Sequence, residues 1–308
     1  MKVWRCLAPA KVNLYLHVGP PRADGRHPLD SLVAFADVGD VVDYAPAGCA
    51  AAAGRQAGFG WTLAGPYAAA LTQALDGPIP MLAAAQGLLA AHGAPSGGVW
   101  RLDKRLPIAA GIGGGTADTA AALRLANAAA GLCLDDAALA RFAAHYGADA
   151  PACIACTPVL MRDDGARLDA APNVPNLHAV LVNPNRPCST AAVYHAFDVA
   201  GLGAGFVETP APEAADAAAL IAALRHYRND LEAPALQVQP VIGEVLAALR
   251  ARPQTQLARL TGSGATCFAL TDTFEAALAL SIDLAGAFSG WWVRPVRLGV
   301  VDAAPRPV

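Results

Sequence analysis

The 308-residue chain sets 22 Lys and Arg against 25 Asp and Glu, a net charge of -3, so it lacks the concentrated positive charge that nucleic-acid or anionic-membrane binding requires. Hydrophobic residues reach 55% and mean hydropathy is +0.36, yet Gly, Pro or charge breaks every apolar run before the ~18 to 20 residues of a membrane span. Seven scattered cysteines, an odd number, suit reduced thiols rather than a disulfide framework. With Lys11 where a signal peptide would be apolar, a cytoplasmic protein with a small-molecule partner is expected.

In chain order, VNLYLHV (12–18) reads as a strand, and SLVAFADV and DVVDYAP read as two more. The Ala/Gly-rich segment 45–60 reads as a loose surface loop. MLAAAQGLLAAHG is a helix closed by Gly93, and GGVWRLDK (97–104) is a strand that leads into PIAAGIGGGTADTAAAL (107–123). The helix after that loop runs to about Gly131, and DDAALARFAAHYG starts on an acidic cap and ends at Gly147. After GADAPACIACTP the texture restarts with VLMRDDGARL, AVLVNPN, a Pro/Ala-rich stretch near 209–213 and helical NDLEAPALQVQPVIGEVLAALRARP. RLTGSGATCFAL and WWVRPVRLGVV then frame a helix from about Thr273. Strands and helices mix without βαβ repetition, so the class is α+β in two domains, 1–158 and 159–308.

The segment 107–123 is the most informative. Gly111, Gly113, Gly114 and Gly115 precede a strong helix former, and glycines let backbone turn through positive φ and approach a ligand closely. The amides and positive dipole end of the helix then attract an anion. Thr116 and Asp118 also suit plain N-caps on a helix packed through its alanines. No lysine follows as a P-loop requires, Thr116 stands where a dinucleotide fingerprint has glycine, and the HRD and DFG signatures of protein kinases are missing. Cys153 and Cys156 form one CxxC, read as apolar packing in an Ala-rich helix, and no metal-ligating residue set is expected.

Three islands supply partners for the loop: Lys11 opening an apolar strand, Asp149 in GADAP, and Gly262 and Gly264 in a second tight turn. Singly they suit a snorkelling lysine, a capping acid and a packing turn. Together they are the parts that hold a nucleoside triphosphate and pass its terminal phosphoryl group to an alcohol. The motifs APAKVNLYLHV, RADGRHPLDSL, DKRLPIAAGIGGG, GADAP, LVNPNRPCST, NDLEAP and LTGSGATCFAL, spread over nearly the whole chain, resemble the GHMP kinase superfamily. The amino-terminal motif, the triple glycine and the RADG-H segment together resemble the branch that acts on a cytidine diphosphate-linked methylerythritol.

That resemblance implies an amino-terminal domain like the second domain of ribosomal protein S5, a ferredoxin-like carboxy-terminal domain, and a site in the cleft between them. It implies ATP as donor, magnesium or a similar divalent ion on the triphosphate, and a monomer or weak homodimer. Asp149 would take or orient the acceptor's 2-hydroxyl proton, and Lys11 would position both. Pro107 and Gly111 to Thr116 would surround the phosphates, and Lys104 would lie near the adenine. Asn13, Arg26, His27, Thr190 and Tyr194 would meet the acceptor, with His27 on the cytosine edge and Tyr194 packed on the base. A homoserine or mevalonate type kinase, or a non-catalytic nucleotide-binding relative, is the alternative.

Three departures stand out. Arg26 replaces the usual stacking tyrosine, though a guanidinium plane also stacks on a base. GGGTADTAA replaces GGGSSNAA, which puts Asp118 near bound phosphate, where its charge opposes the ligand. DGPIPML (76–82) lacks the asparagine of the family's DNL adenine contact.

Overall fold

The computed structural model describes residues 2–49, 59–171 and 174–308. Within them the chain runs β1 (Trp4–Asn13), β2 (His17–Val18), β3 (Leu29–Pro46), β4 (Phe59–Ala64), α1 (Ala68–Ala74), α2 (Pro80–Ala91), β5 (Gly98–Asp103), α3 (Gly114–Ala130), α4 (Asp136–Ala143) and α5 (Ala150–Ala155). It continues through β6 (Val159–Asp163), β7 (Arg167–Ala170), β8 (Leu177–Asn183), α6 (Thr190–Val199), α7 (Ala217–Leu224), α8 (Glu232–Val238) and α9 (Val241–Arg250). The last elements are β9 (Leu257–Leu260), β10 (Cys267–Thr271), α10 (Phe274–Ala287), β11 (Trp292–Gly299) and β12 (Arg306–Pro307).

The two strands expected from SLVAFADV and DVVDYAP are one, β3, which passes straight through Gly39. The single strand expected over 12–18 is instead the end of β1, which runs from Trp4 to Asn13, and the short β2; β1 accommodates Pro9 because its pairing with β3 shifts register between Pro9 and Lys11. Of the expected loop 45–60, the ends join β3 and β4, and 50–58 lie outside the described residues.

The principal strand order is β12-β1-β3-β11-β8-β10-β9. β3 is long enough to pair also with β2, β5 and β6, and among the paired strands of the described residues β4 and β5 alone run parallel. β6, just past the expected boundary at 158, is an antiparallel neighbour of β3, and β11 bridges β3 to β8. Core side chains cover both faces of β3, Val33 and Phe35 on one and Leu32, Ala34 and Ala36 on the other, which explains the unbroken apolar run at 32–36.

On one face, α3 presents Ala117, Ala120 and Ala121 to a core that includes Phe35, Leu88 and Trp100. Alanines there let the helix approach the sheet closely, so its first turn and the loop before it lie near β1. A second cluster around Val180, Phe197, Ile242 and Leu280 seats α6, α9 and α10 on the C-terminal strands.

Where β1 crosses β3 at the register shift, a Cβ on Gly39 would lie 2.2 Å from the Ala8 carbonyl oxygen and 2.8 Å from Pro9 Cα. Both neighbours are backbone and cannot rotate away. Gly39→Ala should therefore destabilise the protein by about 1–3 kcal/mol, the usual cost of overpacking, read as a lower urea midpoint with an unchanged slope.

Candidate functional site

The loop between β5 and α3 uses its glycines differently. Gly111 and Gly113 sit at φ +71° and +65°, in the left-handed region that favours glycine. Gly113 is the N-cap of α3, whose start has no side-chain cap, so Thr116 and Asp118 do not serve as N-caps and the first-turn amides remain for a ligand. A Cβ on Gly114 would point down at Lys104 Nζ, 3.2 Å away, whereas one on Gly115 would meet nothing within 4 Å. Gly115 is thus the glycine that opens on the cavity.

Gly111 is locked against the second glycine turn. Its Cβ would lie 2.6 Å from Gly264 N and 2.7 Å from the Thr261 carbonyl oxygen, and a Cβ on Gly262 would lie 2.5 Å from the Gly111 carbonyl oxygen. Across this contact Thr266 N–H donates to the Ala110 carbonyl (3.0 Å) and Asn13 N–H donates to Thr261 Oγ1 (2.9 Å). Asn229 Nδ2 ties the turn from behind by donating to the Leu260 and Gly262 carbonyls (2.9 and 2.8 Å).

Lys11 and Asn13 are two residues apart on β1 and share a face. Lys11 Nζ donates to Asn13 Oδ1 (3.0 Å) and pairs with Asp149 Oδ2 (2.9 Å), while Asn13 Nδ2 donates to Ser31 Oγ (2.7 Å). Lys11 is only 5% exposed, so it is not a snorkelling surface lysine. Asp149 opens α5, with Pro151 in the first helical turn, and remains about one-third exposed beside the buried ammonium.

Lys104 lies under α3, 3% exposed, between Asp40 Oδ2 (2.5 Å) and Asp118 Oδ2 (2.8 Å). Burial works against its charge, but Asp118 and Asp40 outweigh this and raise its pKa. Burial likewise pushes Asp118 up to about 8, with Lys104 opposing the rise and Asp40 adding to it. One ammonium balances one carboxylate, and the second favours its neutral form. The expectation that Asp118 opposes bound phosphate is corrected in part: it is buried and paired with Lys104. Since its folded pKa exceeds the ordinary carboxylate value, its neutral form favours folding at low pH and that contribution is lost as pH rises through about 8.

Lys11, Asn13, Lys104, Asp118 and Asp149 line a cavity of about 650 Å³ with the glycine loop, Pro107, Thr116 and Thr190. Thr190 Oγ1 is 2.8 Å from Ser263 Oγ in the second turn. Leu71 and Leu75, from α1 and its end, and Ile79 and Pro80, from the DGPIPML segment where Pro80 starts α2, make an apolar wall. A second cavity of about 730 Å³ shares Leu29, Asp164 and Tyr194 with the first and holds Arg26, His27 and Asp198. The His27 and Tyr194 ring centroids are 4.9 Å apart. His27 Nδ1 lies 2.9 Å from the Gly19 carbonyl oxygen and Nε2 3.4 Å from Asp198. Arg26 Nη1 pairs with Asp164 Oδ2 at 2.5 Å.

Cys153 and Cys156 are buried at the end of α5 beside Arg124. Among the described residues no three His, Cys, Asp or Glu side chains converge as a metal site, and no helix is long and apolar enough to cross a membrane.

Residues 80–156 match the GHMP kinases N terminal domain, and residues 210–282 match the GHMP kinases C terminal domain. With the paired glycine turns, this defines the class as GHMP kinases. The 4-diphosphocytidyl-2-C-methyl-D-erythritol kinase of Hyphomonas neptunium is 45% identical over 97% of this chain and 96% of its own length. That of Caulobacter vibrioides is 42% identical over 94% and 98%. The crystal structure of a 4-(cytidine 5'-diphospho)-2C-methyl-D-erythritol kinase matches with a TM-score of 0.73 at 29% identity, over 96% of this chain and 99% of that one. A homoserine kinase from Cytophaga hutchinsonii, at 18% identity and a TM-score of 0.69 over 100% and 98%, shares the fold. The chain belongs to the 4-diphosphocytidyl-2-C-methyl-D-erythritol kinase family and is an ATP-dependent small-molecule kinase.

Asp40, Ser31, Thr261, Asp164 and Asp198 were not legible as site residues, because each acts through a partner distant in sequence. Asn229 had a signal in NDLEAP: a polar pair before a helical run.

The two glycines Gly111 and Gly115 separate folding from binding. Gly111→Ala should lower stability. Gly115→Val should leave the thermal midpoint near wild type and weaken ATP binding roughly tenfold to a hundredfold, as loss of one charge-assisted hydrogen bond of about 1.5–3 kcal/mol predicts, measured by calorimetry.

Proposed function

We propose that the protein transfers the γ-phosphoryl group of ATP to the 2-hydroxyl of 4-diphosphocytidyl-2-C-methyl-D-erythritol. The observation that carries this reading is the contact of Lys11 with Asp149 at 2.9 Å, beside a helix start whose amides have no side-chain cap. The near full-length likeness to kinases named for that acceptor supports the choice of substrate.

In this reading ATP lies in the first cavity, its phosphates on the amides of Gly113 to Thr116 and its base toward the apolar wall beyond Pro107. The acceptor base lies in the second cavity against Tyr194 and His27, with Arg26 held by Asp164 along its edge, and Asn13 and Thr190 face its polyol. The 2-hydroxyl oxygen attacks the γ-phosphorus, the bond to the β-phosphate oxygen breaks, and the hydroxyl proton passes to Asp149. Lys11 orients the Asp149 carboxylate and offsets charge on the transferring group. Asn13, fixed by Ser31, holds the ammonium in place.

A divalent ion such as magnesium would enter with the triphosphate and supply neutralising charge there, with the half-open Asp149 carboxylate of the first cavity able to help hold it. We also propose the division of the chain near residue 158, supported by family matches that end at 156 and resume at 210. Few large apolar side chains are exposed, which favours a monomer or weak homodimer, and the odd, scattered cysteines favour a cytoplasmic setting.

Phosphoryl transfer from ATP to the cytidine-linked acceptor by the purified protein is the direct test, and absence of transfer would refute the reading. Asp149→Asn should keep the fold and ATP binding while turnover drops by ~10² to 10⁴-fold, the usual weight of a general base. Near-normal turnover in that variant would remove Asp149 from the chemistry.

Tyr194→Ala should raise the acceptor KM by about one to two decades, from ~1 to 3 kcal/mol of lost base stacking. The KM for ATP should move little. An unchanged acceptor KM would mean the base lies elsewhere.

A further inference from the structure

Two carboxylates share one ammonium beneath the first turn of α3, and they are not equivalent. Asp40 is fully engaged: Oδ1 accepts from the Arg105 and Leu106 amides (2.6 and 2.8 Å) and Oδ2 accepts from Lys104 (2.5 Å). Asp118 receives only Lys104 on Oδ2, and its Oδ1 is buried with no partner.

Among the described residues no other cation pairs with it, and Arg105, beside Lys104, pairs with Asp103. On β1, Lys11 pairs with Asp149. On β3, Asp43 pairs with Arg5 and Arg101. α2 and α5 carry no charged side chain. Farther along α3, Arg124 donates to the carbonyls of Leu7, Cys153 and Ile154. On α4, Asp136 lines a separate cavity with Arg124, and Arg141 is exposed. The cluster therefore has one negative charge too many when both acids are ionised, one turn below the amides that face the cavity.

We propose that Asp118 is a positioning residue that binds one solvent proton together with ATP, so that the lysine–carboxylate brace under the phosphate loop is neutral whenever the triphosphate is held. The inference rests on the reading of the first cavity as the ATP site. A triphosphate over the start of α3 adds negative charge next to a buried cluster with one carboxylate more than its ammonium balances, and protonating Asp118 removes that excess. The proton also gives Asp118 a donor to offer the neighbouring Asp40 oxygen. Burial already pushes Asp118 up to about 8 before any ligand arrives, so the proton is taken up mainly above neutral pH.

The test is calorimetry of magnesium-saturated ATP binding at pH 7 and pH 8.5 in buffers of different ionisation enthalpy, with wild type and Asp118→Asn. Wild type should take up about half a proton or more at pH 8.5 and almost none at pH 7, and its affinity should fall about tenfold between pH 7 and 9. Asp118→Asn should take up none and bind with a flatter pH profile. Equal uptake in both proteins, or ATP binding to wild type at pH 8.5 without uptake, would overturn the proposal. Should the variant not fold, the wild-type contrast between the two pH values decides it alone. Failure of wild type to bind ATP at either pH would instead overturn the ATP site itself.

Discussion

The contact between the two glycine turns governs the rest of the structure. Main chain from the loop before α3 lies directly on main chain from the turn between β9 and β10, at separations that leave no room for a Cβ at Gly111 or Gly262. Residues about 150 positions apart in the chain are thereby held at backbone precision. Asn13, Thr190 and Ser263 take their places from this contact, because each hydrogen-bonds to the second turn or belongs to it. Loops that carry function are usually mobile; this one is braced from below by a lysine and from the side by another loop.

The site also holds buried charge at high density. Lys11 and Lys104 are both nearly inaccessible, and taking an ammonium out of water is costly unless its partners compensate. Lys11 has one half-open carboxylate and an amide oxygen, while Lys104 has two dry carboxylates. The first pair is accessible to substrate. The second lies deeper in the lining of the same cavity, under the loop it supports. Two lysines that look alike in the sequence thus differ in setting, because one meets a half-open carboxylate and the other two buried ones under a helix.

Much of this was legible beforehand. The glycine loop, the helix behind it, the lysine at the start of an apolar strand and the acid before Pro151 all carry local signatures, and the helix after Thr273 begins at that cap. What the sequence concealed depends on tertiary contact. β3 looked like two strands because Gly39 and the acids beside it resemble a turn, yet the missing Cβ is what lets β1 pass. α6, which carries Tyr194, gave no helical signal strong enough to place. Asp118 looked like a liability near phosphate because its partner Lys104 comes from a different element and its burial comes from the helix packing on the sheet. Gly111, Gly113, Gly114 and Gly115 formed one motif in the sequence and do different work in space.

Tyr194, Leu29 and Asp164 belong to the walls of both cavities. With the acceptor base placed in the second cavity as proposed, that common wall sets its separation from the place where Asp149 meets Lys11, so the pair of cavities would act as a ruler. An acceptor is measured by its length as well as its chemistry: binding energy gained at the far end holds the reacting hydroxyl only if the linker between them spans that interval. A free polyol would enter the near cavity with nothing to anchor it, and a nucleotide with a shorter tail would be anchored out of reach.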